Sequence, residues 1–186
     1  MTNNATELLN LTESEVKNLG GFAVTIEVLD WIVDNIDAGK RIVELGSGST
    51  TEYLSRRYDV YSIEHCAEWC GTCQDSTYIH APLLENKWYD PEIVFQAMPG
   101  WYDLLIIDGP PFKNIGRDCR NGILEHLDSF RHSIPWIIDD TNAKYVMPMS
   151  REISERTGRP IQYYSTGKHK KFGVLQPKKI EYSFEG

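Results

Sequence analysis

Apolar and polar positions follow two rhythms along this chain. Short apolar runs rich in β-branched side chains recur at Arg41 to Leu45, Asp59 to Glu64, Thr77 to Ala81, Asp103 to Asp108 and Ile134 to Asp139, and each predicts a strand. Between them the apolar spacing opens to three and four. Phe22, Ile26, Leu29, Ile32, Val33 and Ile36 predict an amphipathic helix over 22–36, and Ile123, Leu124, Leu127 and Phe130 another over 117–130. Shorter helices are expected over 50–57, 91–98 and 148–157, the second opened by Asp90-Pro91 and the third closed by Gly158 and Pro160. Strands alternating with helices predict an α/β domain built on a mostly parallel sheet. Leu104 to Ile107 carry no polar alternation, as expected of a central strand covered on both faces. Ile161 to Ser165 and Lys171 to Leu175, separated by Thr166-Gly167-Lys168, suit an antiparallel pair that closes the sheet. Residues 1–12 are polar and expected to be loosely ordered.

The unit at 41–64 organises the rest: strand, Gly46-Ser47-Gly48 turn, short helix, strand. Glycines at a strand end permit a sharp turn and let a ligand approach the backbone. Glu64 closes the second strand on the same edge, where a carboxylate can accept hydrogen bonds from a ribose diol. A Gly-x-Gly after a strand is also often only a turn. The dinucleotide fingerprint is incomplete, with Thr51 at its last glycine position, and there is no Gly-Lys-Ser/Thr phosphate loop. The pattern is that of a nucleoside site without a pyrophosphate cradle.

Val43-Glu44-Leu45-Gly46-Ser47-Gly48-Ser49-Thr50 resembles the first motif of class I S-adenosylmethionine-dependent methyltransferases, and Ser62-Ile63-Glu64-His65 resembles their second. Tyr102 to Pro111 and Trp136 to Asp140 are similar to their fourth and fifth strands. The resemblance implies a Rossmann-like, mainly parallel seven-stranded sheet with helices on both faces and an antiparallel C-terminal strand. It also implies methyl transfer from S-adenosylmethionine, with Gly46, Ser47, Gly48 and Glu64 at the cofactor and Glu44 shaping the first turn. His65 and Ala81 complete that set, Ala81 because His80-Ala81-Pro82 stand where many members have an acidic adenine contact. One domain is expected over 1–186: an N-terminal extension at 1–21, an accessory helix at 22–36 that packs beside the cofactor, and a catalytic core at 40–177. The amino end of the 50–57 helix would face the cofactor's carboxylate, although Ser49, Thr50 and Thr51 also suit helix capping.

Asp108, Asp139 and Asp140 fall at carboxyl ends of predicted central strands. Three carboxylates in one cleft repel, and a divalent cation or a raised pKa relieves them. Oxygen ligands favour magnesium, calcium or manganese. This is similar to the cation-dependent O-methyltransferase pattern, with Asn142 as a further ligand, and implies a small-molecule hydroxyl acceptor activated by the metal. The aspartates could equally cap the next helix and order the Gly109-Pro110-Pro111 loop. Asp108 and Lys113 are the candidate catalytic groups, with His65 and His80 as lesser bases, and Arg117 is a candidate clamp for an anionic substrate.

The formal charge of −8 argues against a nucleic-acid partner, so none is expected. No apolar stretch is long enough to span a membrane and the first residues lack a basic-then-apolar leader pattern, so the expected address is the cytoplasm. Cys66, Cys70 and Cys73 match the spacing of the radical-enzyme iron–sulfur motif, but they follow the second strand of a sheet already explained, and Thr72 precedes Cys73. Reduced thiols are the favoured reading, with a zinc site including Cys119 or His65 as another. The rival functions are a nicotinamide-dependent oxidoreductase and a non-catalytic protein that keeps the fold as a scaffold.

Overall fold

The computed structural model describes residues 4–21, 23–85, 88–111, 119–167 and 169–178. Its centre is a seven-stranded sheet. Strands β1 (Arg41–Leu45), β2 (Asp59–Glu64) and β3 (Thr77–His80) pair in parallel, and a short hairpin of β4 (Leu83–Leu84) and β5 (Trp88–Tyr89) follows outside the sheet. β6 (Leu104–Ile107) pairs parallel with β1 on its other side, and β7 (Trp136–Ile138) lies parallel beyond it. β8 (Ile161–Ser165) and β9 (Lys171–Leu175) form an antiparallel pair, and β9 inserts against β7, giving the order β3-β2-β1-β6-β7-β9-β8. The chain leaves β1 in one direction for β2 and returns on the opposite side at β6. The crevice between β1 and β6 is therefore the place where strand order reverses.

Alternation within the strands feeds two cores. Ile42, Leu104, Ile106, Ile137 and Val174 point to one face, while Val43, Leu45, Leu105, Ile107, Trp136 and Ile138 point to the other. β6 is buried along its whole length, as its unbroken apolar run predicts. Helix α3 (Ile26–Asn35) lays Val28, Leu29, Ile32 and Val33 on the first face, and α6 (Val146–Thr157) lays Met149 and Ile153 on the second. Helix α4 (Ser49–Ser55) is the crossover from β1 to β2, and α5 (Pro91–Ala97) starts on the Asp90 side chain, which accepts from the Glu92 and Ile93 N–H groups.

Two expectations change. Residues 4–18 are ordered into helices α1 (Asn4–Leu8) and α2 (Glu13–Asn18), and Ala5 and Leu9 are fully buried in the α3 core. Polar composition hid this because a two-turn piece needs only a few apolar contacts. Thr12 and Glu15 close a reciprocal capping box on α2, and the Arg56 guanidinium donates to Glu15 Oε1 at 2.6 Å. Where one long helix was expected over 117–130, the described part, Arg120–Ser129, is a run of 3₁₀ turns kinked at His126. The run packs closely on the hairpin at Gly122, where a Cβ would collide with Trp88, whose ring stacks on His126 at 4.8 Å. The accessory helix begins at Ile26, and Phe22 lies outside the described residues.

Candidate active site

The turns after β1 and β6 meet face to face at the crevice. Gly46 has φ +95°, and a Cβ on it would lie 3.0 Å from Gly109 Cα and N. A Cβ on Gly109 would in turn lie 2.8 Å from Gly46 Cα and would collide with the Tyr89 hydroxyl. Neither position tolerates a side chain, so the two turns pack backbone on backbone and form a floor to the crevice.

Beneath that floor lies Glu44. It is 2% exposed, and its Oε1 accepts hydrogen bonds from Thr51 Oγ1 and Ser62 Oγ. Thr51 Oγ1 also accepts from the Gly48 N–H at 3.1 Å, so one carboxyl ties the turn, the crossover helix and β2 together. Burial, helped by the Asp108 and Glu64 charges, raises the Glu44 pKa to about 7 against the hydroxyl bonds that lower it. Glu44 thus supports the turn from below. Thr50 plays another part, accepting the Val24 N–H at 3.0 Å and holding the segment before α3 against α4.

Glu64 ends β2 beside that turn and is also buried, at 4% exposure. Its Oε2 accepts from the Ser47 N–H at 3.0 Å and from Ser47 Oγ at 2.8 Å, and its Oε1 accepts from the Cys66 N–H at 2.8 Å. A carboxylate has about four acceptor sites, so a ribose hydroxyl can join this set, most simply by exchange with the rotatable Ser47 hydroxyl. His65 Nδ1 lies 2.8 Å from Glu64 Oε1 without hydrogen-bond alignment. His80 Nε2 is 3.2 Å from the His65 carbonyl oxygen. The Ala81 N–H already donates to Glu64 O at 2.9 Å, so that backbone donor is not available to an adenine.

On the other side of the crevice, Asp108, Asp139 and Asp140 converge, each offering a carboxylate oxygen within 4.8 Å of the others. Among the described residues this is the one group of three or more acidic, histidine or cysteine side chains so arranged. Burial, then repulsion from Asp108 and Asp140, drives the Asp139 pKa to about 8. Asp108 is raised in the same direction, by burial first, while the Arg120 charge opposes the rise. Asp140, at φ +55°, pairs with Lys170 Nζ at 3.2 Å, and the same ammonium donates to Gly21 O at 3.4 Å. The residues fit a hard divalent cation: three oxygen donors within bridging range, two of them carrying pKa values that a positive charge would bring down. Asn142 faces elsewhere, its Oδ1 accepting from the Lys171 N–H at 3.1 Å.

Lys113 and Arg117 lie outside the described residues. The arginine that the sequence reading passed over is Arg120. Its side chain is 3% exposed, and its guanidinium donates to the carbonyl oxygens of Asp108, Pro110 and Asp139, with Nη2 3.7 Å from Asp108 Oδ1. It binds the carboxyl ends of β6 and β7 to one another. The signal was present, since Arg120 is in phase with Ile123, Leu127 and Phe130 and so falls on the buried face. The three clustered cysteines do not converge: Cys73 Sγ is 3.1 Å from Ser55 Oγ, and Cys70 Sγ points to the Cys66 carbonyl oxygen at 3.7 Å.

No protein-family model and no curated protein sequence matches the chain. Solved structures do. A methyltransferase from Pyrococcus furiosus superposes with a TM-score of 0.58 at 12% identity, over 92% of this chain and 93% of that one. An rRNA methylase from Streptococcus thermophilus gives 0.54 at 12% identity, over 81% and 94%. The chain has the class I methyltransferase fold. MycE, a methyltransferase of the mycinamycin biosynthetic pathway solved with Mg, S-adenosylhomocysteine and mycinamycin VI, gives 0.53 at 13% identity, over 97% of this chain and 56% of that one. The chain spans 66% of a METTL16 methyltransferase domain. These neighbours correct the exclusion of nucleic acid: the fold is shared with an rRNA methylase, so a net charge of −8 does not rule that partner out. Net charge is an average over the whole surface, whereas binding depends on the local field at one face. Among the described residues no helix is long and apolar enough to cross a membrane.

Proposed function

We propose that this chain transfers a methyl group from S-adenosylmethionine to an acceptor bound between the carboxyl ends of β6 and β7. The observation that carries the reading is the Gly46–Gly109 floor at the point where strand order reverses, with Glu64 bound to the Ser47 N–H beside it. The methyltransferase neighbours support it, and the MycE structure supports the choice of cofactor. S-adenosylmethionine supplies an electrophilic methyl on a sulfonium, and a divalent cation would acidify an acceptor hydroxyl. Gly46, Ser47 and Gly48 let the cofactor lie against the backbone, and Glu64 orients its ribose. Glu44 holds that turn in place from below. Asp108, Asp139 and Asp140 would hold the cation, and Arg120 keeps the two strand ends at a fixed separation so that the acceptor oxygen is presented in line.

The acceptor we propose is a hydroxyl on a small molecule, supported by the three carboxylates. A second reading, an RNA acceptor, is favoured by the rRNA methylase among the neighbours. The test is methyl transfer from tritiated S-adenosylmethionine to a low-molecular-weight metabolite fraction or to total RNA, each with magnesium and with chelator. Magnesium-dependent label in the small-molecule fraction, lost in Asp108→Asn, is the expected result. Label in RNA moves the acceptor to the second reading, and chelator-resistant transfer removes the metal.

A further inference from the structure

Tyr89 closes the β4–β5 hairpin with its side chain turned inward. The residue has no exposed surface, and its ring packs edge-on to Trp88 at 5.6 Å and to His65 at 6.4 Å. Its hydroxyl reaches the point where the two glycine turns meet, since a Cβ on Gly109 would strike it while lying 2.9 Å from Gly46 N. There it has no hydrogen-bond partner among the described residues. The charges acting on it are those of Glu64, Arg120 and Asp108, the groups that ring the crevice. Burial first, and Glu64 next, hold the phenol protonated far above its ordinary range, so it is a hydrogen-bond donor at neutral pH.

A buried hydroxyl without a partner is destabilising, and most native ones are satisfied. This one is packed against the Gly46–Gly109 turns, where an acceptor oxygen brought in by a ligand would satisfy it. We propose that Tyr89 is a cofactor-binding residue whose hydroxyl donates to a ribose oxygen of the bound cofactor. The proposal rests on the methyltransferase reading. Each ribose hydroxyl both donates and accepts, so a carboxylate acceptor at Glu64 and a phenol donor at Tyr89 complement a diol from two sides. The hairpin thereby supplies a polar contact on the flank where His80, Ala81 and Pro82 supply no carboxylate. The residue before it, Trp88, anchors the hairpin against Gly122 and His126 and fixes where Tyr89 stands.

The test is isothermal titration of the wild-type chain and Tyr89→Phe with S-adenosylhomocysteine and with 5′-methylthioadenosine, which keeps the ribose but lacks the amino-acid carboxylate. The expected result is affinity about tenfold weaker for both ligands in Tyr89→Phe, the loss of one hydrogen bond. The melting temperature of the ligand-free variant should equal or exceed that of the wild type, because the hydroxyl has no partner among the described residues to lose. Unchanged affinity overturns the proposal, as does a lowered melting temperature in the ligand-free variant, which would make Tyr89 a structural residue. A loss for S-adenosylhomocysteine alone overturns the ribose assignment. Failure of the wild type to bind either ligand is a different outcome, refuting the methyltransferase reading and the Tyr89 assignment with it.

Discussion

Replacing Glu44 by glutamine should make the protein more stable at alkaline pH and slightly less stable at mildly acidic pH. Glu44 is buried under the first glycine turn, and its pKa stands at about 7 instead of 4.5, chiefly because burial disfavours the anion. Between those values the folded chain keeps a proton that the unfolded chain releases, so stability falls as pH rises from about 4.5 to about 7 and stays lowered above it. The displacement corresponds to about 3 kcal/mol as an upper bound. Glutamine keeps the Oε1 acceptor for Thr51 and Ser62 and removes the charge, but it buries an amide that needs its own acceptor. That cost is the same at every pH, so it leaves a net stabilisation of about 1–2 kcal/mol at about pH 8 and turns into a net destabilisation of up to about 1 kcal/mol at about pH 5, where little of the charge penalty is present. Urea unfolding of both proteins at the two pH values measures it. An equal stability difference at both would mean that the buried charge of Glu44 costs nothing, because an uncharged role carries no pH dependence.

Leu9→Ala should cost about 3 kcal/mol by urea unfolding, since Leu9 is fully buried against the α3 core; a change below about 0.5 kcal/mol would mean the N-terminal helices are not part of the cooperative fold. Arg120→Met should destabilise by about 3–5 kcal/mol, because it strands the carbonyl oxygens of Asp108, Pro110 and Asp139 and leaves Asp108 uncompensated. Arg120→Lys, which keeps the charge but not the planar fork, should fall between methionine and wild type. A stability for Arg120→Met equal to wild type would remove Arg120 from the support of the site.

The sheet was legible because its strands announce themselves by composition. β1, β2, β8 and β9 begin and end at the residues the apolar runs indicate, and β6 lacks alternation for the reason it is buried on both sides. Asp108, Asp139 and Asp140 were also visible, since strand ends in a parallel sheet share one edge. The different parts of Glu44 and Glu64 were expected from the family resemblance, and not from the apolar pattern; their partners came only from the structure, where the hydroxyls of Thr51 and Ser62 hold Glu44 and the N–H groups of Ser47 and Cys66 hold Glu64. Arg120 was overlooked because a buried arginine is uncommon, although its phase with Ile123 and Leu127 pointed inward. Tyr89 gave no signal, because its orientation depends on a hairpin only two residues deep on each side. The exclusion of nucleic acid failed for a different reason: it read a global charge as a local one.

Whether the crevice binds the methyl donor is decided by calorimetric titration of the purified, ligand-free chain with S-adenosylhomocysteine and, separately, with NAD. Saturable one-to-one binding of S-adenosylhomocysteine is expected, weakened in Glu64→Ala, with no heat of binding for NAD. Binding of NAD without S-adenosylhomocysteine, or binding of neither, would contradict it.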